Sequence, residues 1–258
     1  MNELKITTFN IRCFGFGGNY YQKTKSELRG PYLKHFIDSN FSDTDVFVFQ
    51  EIMNPLYLPV ILPDGFKTYT YEHEYKRHMF IVLACKKELE IKDFKPIPDT
   101  ALDTETSRPA FYGLLTLNDD SLLDIIGVHL KSKSDHTESR LEQAKSISKF
   151  IKDLPASRPK LMTGDFNSHV IESTLKNKDD LTYLEEIFED QLSLFPHKKN
   201  TYLSSKDIMS LDHFFISGVE PLSVEVYNLP DYSPDQSFKN FYNEISDHLP
   251  VTIHLKMT

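Results

Sequence analysis

The chain has 258 residues, 40% of them hydrophobic, and sets 38 acidic against 29 basic side chains for a formal net charge of -9. That balance excludes a protein that grips nucleic acid mainly through a broad basic face, because phosphate affinity comes largely from Lys and Arg. It leaves a nuclease open, since a cluster of metal-binding carboxylates is itself acidic. With only Cys13 and Cys85, the chain has no basis for a disulfide framework and fits a reducing compartment.

Leu4 to Phe9 reads as a buried strand leading into Asn10. After the glycine-containing loop Gly15 to Gly18, a helix is expected from about Pro31 to Asp38, proline suiting a first turn. Strand Val46 to Phe49 leads into Gln50-Glu51, and the Pro-interrupted stretch Pro55 to Pro63 follows. Phe66 to Tyr71, Met79 to Ala84, Phe111 to Leu117 and Leu122 to Val128 are the next strands, the last ending at His129. From Glu138 to Leu154, the positions Leu141, Ala144, Ile147, Phe150 and Ile151 recur at helical spacing. Lys160 to Thr163 is a strand entering the Gly164 turn, and a second helical region lies near Leu181 to Leu192. Asp212 precedes the apolar run His213 to Ile216, and two final strands surround a polar excursion from Asp231 to Glu244. Strands dominate and helices punctuate, which predicts two stacked sheets covered by helices. No linker, low-complexity tract or internal repeat divides the chain, so one domain is expected over residues 1–258.

The chemistry concentrates at strand ends. Ser246-Asp247-His248 stands at the mouth of an apolar strand, and Gly164-Asp165-Phe166-Asn167 at the end of another. A carboxylate for a divalent metal, an adjacent imidazole, and an Asp with an amide to fix water are what metal-assisted phosphoester cleavage needs. Lys131, Lys133 and Arg140, just beyond His129, are the local source of positive charge, the latter two reading equally well as a solvated loop and helix face.

Seven segments in order resemble the endonuclease/exonuclease/phosphatase superfamily, metal-dependent phosphoesterases with the fold of deoxyribonuclease I. They are Phe9 to Gly15, Gln50-Glu51, Ser107 to Ala110, Val128 to Ser132, Gly164 to Asn167, Leu211 to His213 and Ser246 to Val251. The resemblance implies an α/β four-layered sandwich, two stacked, mainly antiparallel sheets flanked by helices. It implies Glu51 as the principal ligand of Mg²⁺, with Mn²⁺ or Ca²⁺ as alternatives, and Asn10 and Asp247 close by. It further implies His248 as general base, Asp212 as its orienting acid, and Asp165 and Asn167 as the pair that aligns water and holds phosphate. His129 and Arg108 would bind the scissile phosphate from the other side, while Tyr75 and Lys131 would contact the rest of the substrate.

Two positions depart from the deoxyribonuclease branch. Arg77 stands where that branch has an acidic partner for the histidine matched by His129, and Met53 where it has a minor-groove arginine. The expected activity is hydrolysis of DNA, with RNA as a further substrate. The alternatives are a small or lipid phosphoester (inositol phosphate, nucleotide or sphingomyelin type) and an inactive binding protein on the same fold. A monomer is expected, with nucleic acid as substrate, no stable protein partner and no membrane insertion. The expected location is cytoplasmic if the chain is complete, and secreted if a signal peptide was removed.

Overall fold

The computed structural model describes residues 3–15, 26–71, 79–101, 108–133, 136–168, 180–197, 199–203, 209–229 and 241–257. In chain order these form β1 (Glu3–Phe14), α1 (Ser26–Asn40), β2 (Val46–Ile52), α2 (Leu58–Ile61), β3 (Phe66–Tyr69), β4 (Phe80–Lys86), β5 (Glu90–Pro96) and β6 (Phe111–Thr116). There follow β7 (Leu122–His129), α3 (Thr137–Lys152), β8 (Lys160–Asp165), α4 (Asp180–Phe188), β9 (Ser193–Phe195), β10 (Asp212–Ser217), β11 (Val219–Val226) and β12 (Val251–Met257). One six-stranded sheet runs β11-β12-β1-β2-β4-β3 and the other β5-β6-β7-β8-β10-β9. Neighbours are antiparallel except β1 with β2 and β7 with β8, the two pairs joined by the crossover helices α1 and α3.

Alternation along the strands decides the layering, since successive side chains point to opposite faces. In β7, Leu123 and Ile125 enter the core between the sheets, while Ile126 and Val128 pack outward with Ala144, Ile147 and Ile151 of α3 and Leu184 and Phe188 of α4. On the far side α1 covers the other sheet, with Phe36 against Phe9 at 6.0 Å between ring centroids. The layers are therefore helix, sheet, sheet, helix. Each fully buried Leu, Ile or Phe contributes about 1.5–3 kcal/mol, so the stacking follows from these stripes. No helix among the described residues is long and apolar enough to cross a membrane.

The inward columns share one design. Leu4, Ile6 and Thr8 continue to Asn10; Leu123, Ile125 and Gly127 to His129; Leu161 and Thr163 to Asp165; and Ile216 and Phe214 of the antiparallel β10 to Asp212. Asp212 lies directly opposite Asp165 in the β10/β8 pairing. Each column is apolar in the core and polar at the same rim.

The two sheets also repeat one topology that the sequence does not display as a repeat. Preceded by β11-β12, the run β1-α1-β2-β3-β4 has the same pairing pattern as β7-α3-β8-β9-β10 preceded by β5-β6. Under this correspondence Asn10 matches His129, Gln50, the residue before Glu51, matches Asp165, and the Asp247-His248 segment before β12 matches the Arg108-Pro109 segment before β6.

Several elements differ from expectation. α1 begins at Ser26, five residues before Pro31, and carries that proline inside it. The position is early enough that the missing N–H removes only one bond near the first turn. β5 and β9 have no counterpart among the expected elements, β9 beginning just after the expected helical region ends at Leu192, and the chain from Asp212 holds three strands where two are expected. β5, β9 and β11 are sheet edges; β5 is largely exposed and charged, and β11 contains Pro221, both devices that protect edges and erase the apolar signature.

Gly164 has φ +145°, and a Cβ there would run into the Val128 carbonyl of the neighbouring strand. Gly164→Ala is expected to cost about 2–4 kcal/mol of stability through strain and overpacking. Urea unfolding measures it, and a loss below about 0.5 kcal/mol, the range of a neutral surface change, would contradict the reading.

Candidate active site

The rim is assembled by one bulge and one turn. Asn10 pairs in register with Gln50, and the next aligned pair is Phe14 with Ile52, so Ile11, Arg12 and Cys13 oppose Glu51 alone. Regular alternation would send Glu51 to the face away from Asn10. Instead Arg12, Cys13 and Glu51 adopt left-handed φ of 43°, 50° and 60°, and the bulge turns the carboxylate into the rim. Glu51 Oε2 accepts the Cys13 backbone N–H at 3.1 Å and lies 3.3 Å from its thiol. Its Oε1 accepts from Asn10 Nδ2 at 3.2 Å, and the same amide donates to Asp165 Oδ2 at 3.1 Å. One amide thus bridges the principal acids of the two sheets.

The turn is Gly164-Asp165-Phe166-Asn167. Asp165 Oδ1 accepts the Asn167 N–H at 2.9 Å, an Asx turn with Asn167 at φ 49°. The two oxygens of Asp165 differ in surroundings: Oδ1 closes the turn and Oδ2 faces the rim. The Asn167 side chain donates to Leu130 O at 3.0 Å, tying β8 to the segment after His129.

The two histidines approach Asp165 from opposite sides. His129 Nε2 lies 3.4 Å from Asp165 Oδ2 and 3.8 Å from Glu51 Oε1. His248 Nε2 lies 3.8 Å from Asp165 Oδ2, and its Nδ1 is 2.9 Å from Asp212 Oδ2. The Ser246 hydroxyl donates to Asn10 O at 2.6 Å and accepts the His248 N–H at 3.1 Å, locking the Asp247-His248 turn onto β1. Asn10, Glu51, His129, Asp165, Asp212 and His248 are therefore connected at one rim.

The sequence profile of the Endonuclease/Exonuclease/phosphatase family matches residues 7–248. The chain belongs to that family. Among curated protein sequences there is no match. Among solved structures, a functionally unknown conserved protein from Enterococcus faecalis V583 superposes with a TM-score of 0.75 at 19% identity, covering 99% of this chain and 100% of that one. TDP2 of D. rerio, complexed with a single strand DNA product, gives 0.71 at 14% identity with 100% of both chains covered. The mannosyl-6-phosphatase Bt3783 of Bacteroides thetaiotaomicron VPI-5482 gives 0.67 at 16% identity, covering 98% of this chain and 100% of that one. At these identities the likeness is one of fold.

In this family member the rim concentrates negative charge. Burial pushes the Asp165 pKa up, with Asp212 and Glu51 adding to the push and His248 opposing it. Asp247 is likewise raised by burial and by Glu51 against the pull of His248. For His248 burial favours the neutral ring, but Asp212, Asp165 and Asp247 together override it and raise the pKa. His129 behaves oppositely: burial, then Arg108 and His248, hold it well below its usual value. Two buried imidazoles a few ångströms from one carboxylate are thus shifted in opposite directions.

Arg108 is no surface charge. It donates to Leu130 O at 3.3 Å and lies against the Met79 sulfur. Burial lowers its pKa while Glu51 and Asp165 are the strongest charges opposing that. Lys131 is half-buried, its backbone N–H donating to Gln143 Oε1. Arg140, expected to supply groove or surface charge, is instead buried with its guanidinium on the Lys131 and Lys133 carbonyls. Tyr75 and Arg77 lie outside the described residues. His129 Nδ1 has no hydrogen-bond partner among the described residues.

Three further residues meet the site without a signal in the sequence: Cys13, which enters there only as part of a motif, and the pair His197 and His213. His213 Nε2 contacts Ser168 O at 2.9 Å, His197 Nε2 contacts Asp212 O at 2.7 Å, and the two rings lie 5.5 Å apart behind Asp212. No spacing signal marks them; they meet only through the β10 register. Burial, then His197, lowers the His213 pKa to about 4 from 6.5. The folded state therefore binds fewer protons there than the unfolded chain between those values. Stability is expected to fall, by up to about 3 kcal/mol, as pH drops from about 6.5 to about 4. His213→Gln should flatten that part of a urea-unfolding pH series, and an unchanged slope would remove His213 as its source.

Proposed function

We propose that the chain is a Mg²⁺-dependent phosphodiesterase, a nuclease that hydrolyses DNA by attack of water on the phosphodiester. The observation that carries this reading is the line Asp212–His248–Asp165, with contacts of 2.9 and 3.8 Å, beside the Glu51 carboxylate that the bulge turns into the same rim. With a cation offsetting Asp165 and Asp247, the neutral ring of His248 would take the proton of the attacking water, and Asp212 holds its Nδ1 and stabilises the imidazolium that forms. Asp165 and Asn167 align that water. Neutral His129 donates a hydrogen bond to a non-bridging phosphate oxygen, and Arg108 offsets the charge that develops on the phosphoryl group.

The donor set fits a hard cation. Glu51 Oε1 and Asp247 are oxygen donors beside the Asn10 amide, whose Oδ1 accepts the Arg12 N–H at 3.0 Å, and the Glu51 side chain keeps 20% of its surface exposed. Two carboxylates suit Mg²⁺, which takes one or two and keeps several waters. When bound, such a cation would neutralise the phosphate and polarise it toward attack.

A second reading retains the reaction on a small phosphoester. It is favoured by the net charge of -9 and by Met53 in place of a groove-binding arginine. The fold similarity to a mannosyl-6-phosphatase supports it as well.

Supercoiled plasmid and a fluorescent single-stranded oligonucleotide should be cut in Mg²⁺ or Mn²⁺ and left intact in EDTA. His248→Ala should lower the rate by about 10²- to 10⁴-fold without unfolding the protein. Metal-dependent release of phosphate from sugar or nucleotide phosphates, with both nucleic acids untouched, would move the assignment to the second reading. Near-normal rates in His248→Ala would overturn the role of the histidine.

A further inference from the structure

Arg29, the fourth residue of α1, is 1% exposed, and no carboxylate among the described residues pairs with it. Its guanidinium donates to three backbone carbonyls instead: Ile11 at 2.8 Å, Arg12 at 2.9 Å, and Ile245. Burying a cation on neutral acceptors is costly, so the placement calls for a reason beyond filling the core. Ile11 and Arg12 belong to the bulge whose next residue, Cys13, directs its N–H and thiol to Glu51. Ile245 immediately precedes Ser246-Asp247-His248. Arg12 closes the same junction from the other side, donating to Tyr242 O at 2.9 Å with its guanidinium 4.4 Å over the Tyr242 ring.

The other half of the fold repeats the device. Arg140 is the fourth residue of α3, the corresponding crossover helix, and is 2% exposed. It donates to Lys131 O at 3.0 Å and Lys133 O at 2.6 Å, in the segment that leaves β7 just after His129. Each parallel crossover thus returns an arginine from its first helical turn onto the strand exit that precedes it.

We infer that Arg29 is a positioning residue: it fixes the segment that aims Glu51 against the segment that carries Asp247 and His248, and Arg140 does the same for the loop after His129. The inference rests on the proposed reading of the rim. Its mechanical part is separable, because it concerns how two segments are held together whatever they act on. A planar fork suits this role and an ammonium does not, since only the fork reaches three carbonyls in fixed directions.

The test compares Arg29→Ala and Arg29→Lys with wild type by amide hydrogen exchange and by cleavage kinetics. Exchange is expected to accelerate together in residues 11–15 and 245–249 in both variants, while the interiors of both sheets keep their protection. Turnover is expected to fall about 10- to 100-fold with a smaller change in KM, the usual scale for a residue acting through ligands. Millimolar guanidinium should restore part of the lost rate in Arg29→Ala and none in Arg29→Lys. Unchanged exchange, acceleration in only one of the two segments, or acceleration spread evenly over both sheets would overturn the inference. If Arg29→Ala fails to fold, the lysine variant decides by the same exchange criterion. A wild-type protein that cleaves no phosphoester would defeat the proposed function, and the exchange result would still decide the role of Arg29.

Discussion

Carboxylates crowded together out of water are the constraint that the rest of the structure serves. Asp165 and Asp212 are 2% and 1% exposed and lie opposite one another in adjacent strands, with Glu51 bridged to Asp165 through Asn10. Unpaired ions in such a place cost several kcal/mol each. The fold meets the cost with directed donors: the Cys13 and Asn167 backbone N–H groups, the Asn10 amide and the His248 ring each address a specific oxygen. The remaining excess of negative charge is what a divalent cation would relieve. On the proposed reading, the strain at the rim and its chemistry have the same origin.

The donors can be so directed because the rim is the end of a rigid sandwich. The columns that supply Asn10, His129, Asp165 and Asp212 are continuous with the inter-sheet core, so packing that holds the sheets apart also sets the spacing of the site. The repeated topology then brings two versions of one strand-exit arrangement face to face. They have diverged in chemistry: Asn10 corresponds to His129, Gln50-Glu51 to the strand end at Asp165, and Asp247-His248 to Arg108-Pro109. On the proposed reading, one half supplies the cation site and the general base, while the other supplies the phosphate-binding side.

Much of this was legible in the sequence for a simple reason. Central strands such as Val46 to Phe49 are apolar on both faces, and a polar residue ending such a run stands out. The layers follow that logic, as do Asn10 after the apolar run of β1, His129 and Asp165 at the ends of β7 and β8, and Asp212 at the start of β10; Arg108, Lys131 and Asn167 were singled out by the family resemblance, and Tyr75 lies outside the described residues. Three of the four edge strands were not legible, because β5, β9 and β11 carry charges, proline or only three residues in place of an apolar stripe. Arg29 and Arg140 were equally hidden: an arginine on a helix reads as surface charge, and only the backbone carbonyls it meets reveal otherwise. Left-handed φ at Arg12, Cys13 and Glu51 has no signature in the residue types, since none of them is glycine or asparagine. The internal repeat is invisible because it persists in strand order and not in residues.

The central claim is that Glu51, turned inward by the bulge, is the cation-binding carboxylate of the rim. Anomalous diffraction from crystals soaked in Mn²⁺ tests it most directly. The account predicts a peak in direct contact with the Glu51 carboxylate, on the side facing Asn10 and Asp247, and its loss in Glu51→Gln. A strong peak elsewhere with none at Glu51, or an unchanged peak in Glu51→Gln, would contradict it.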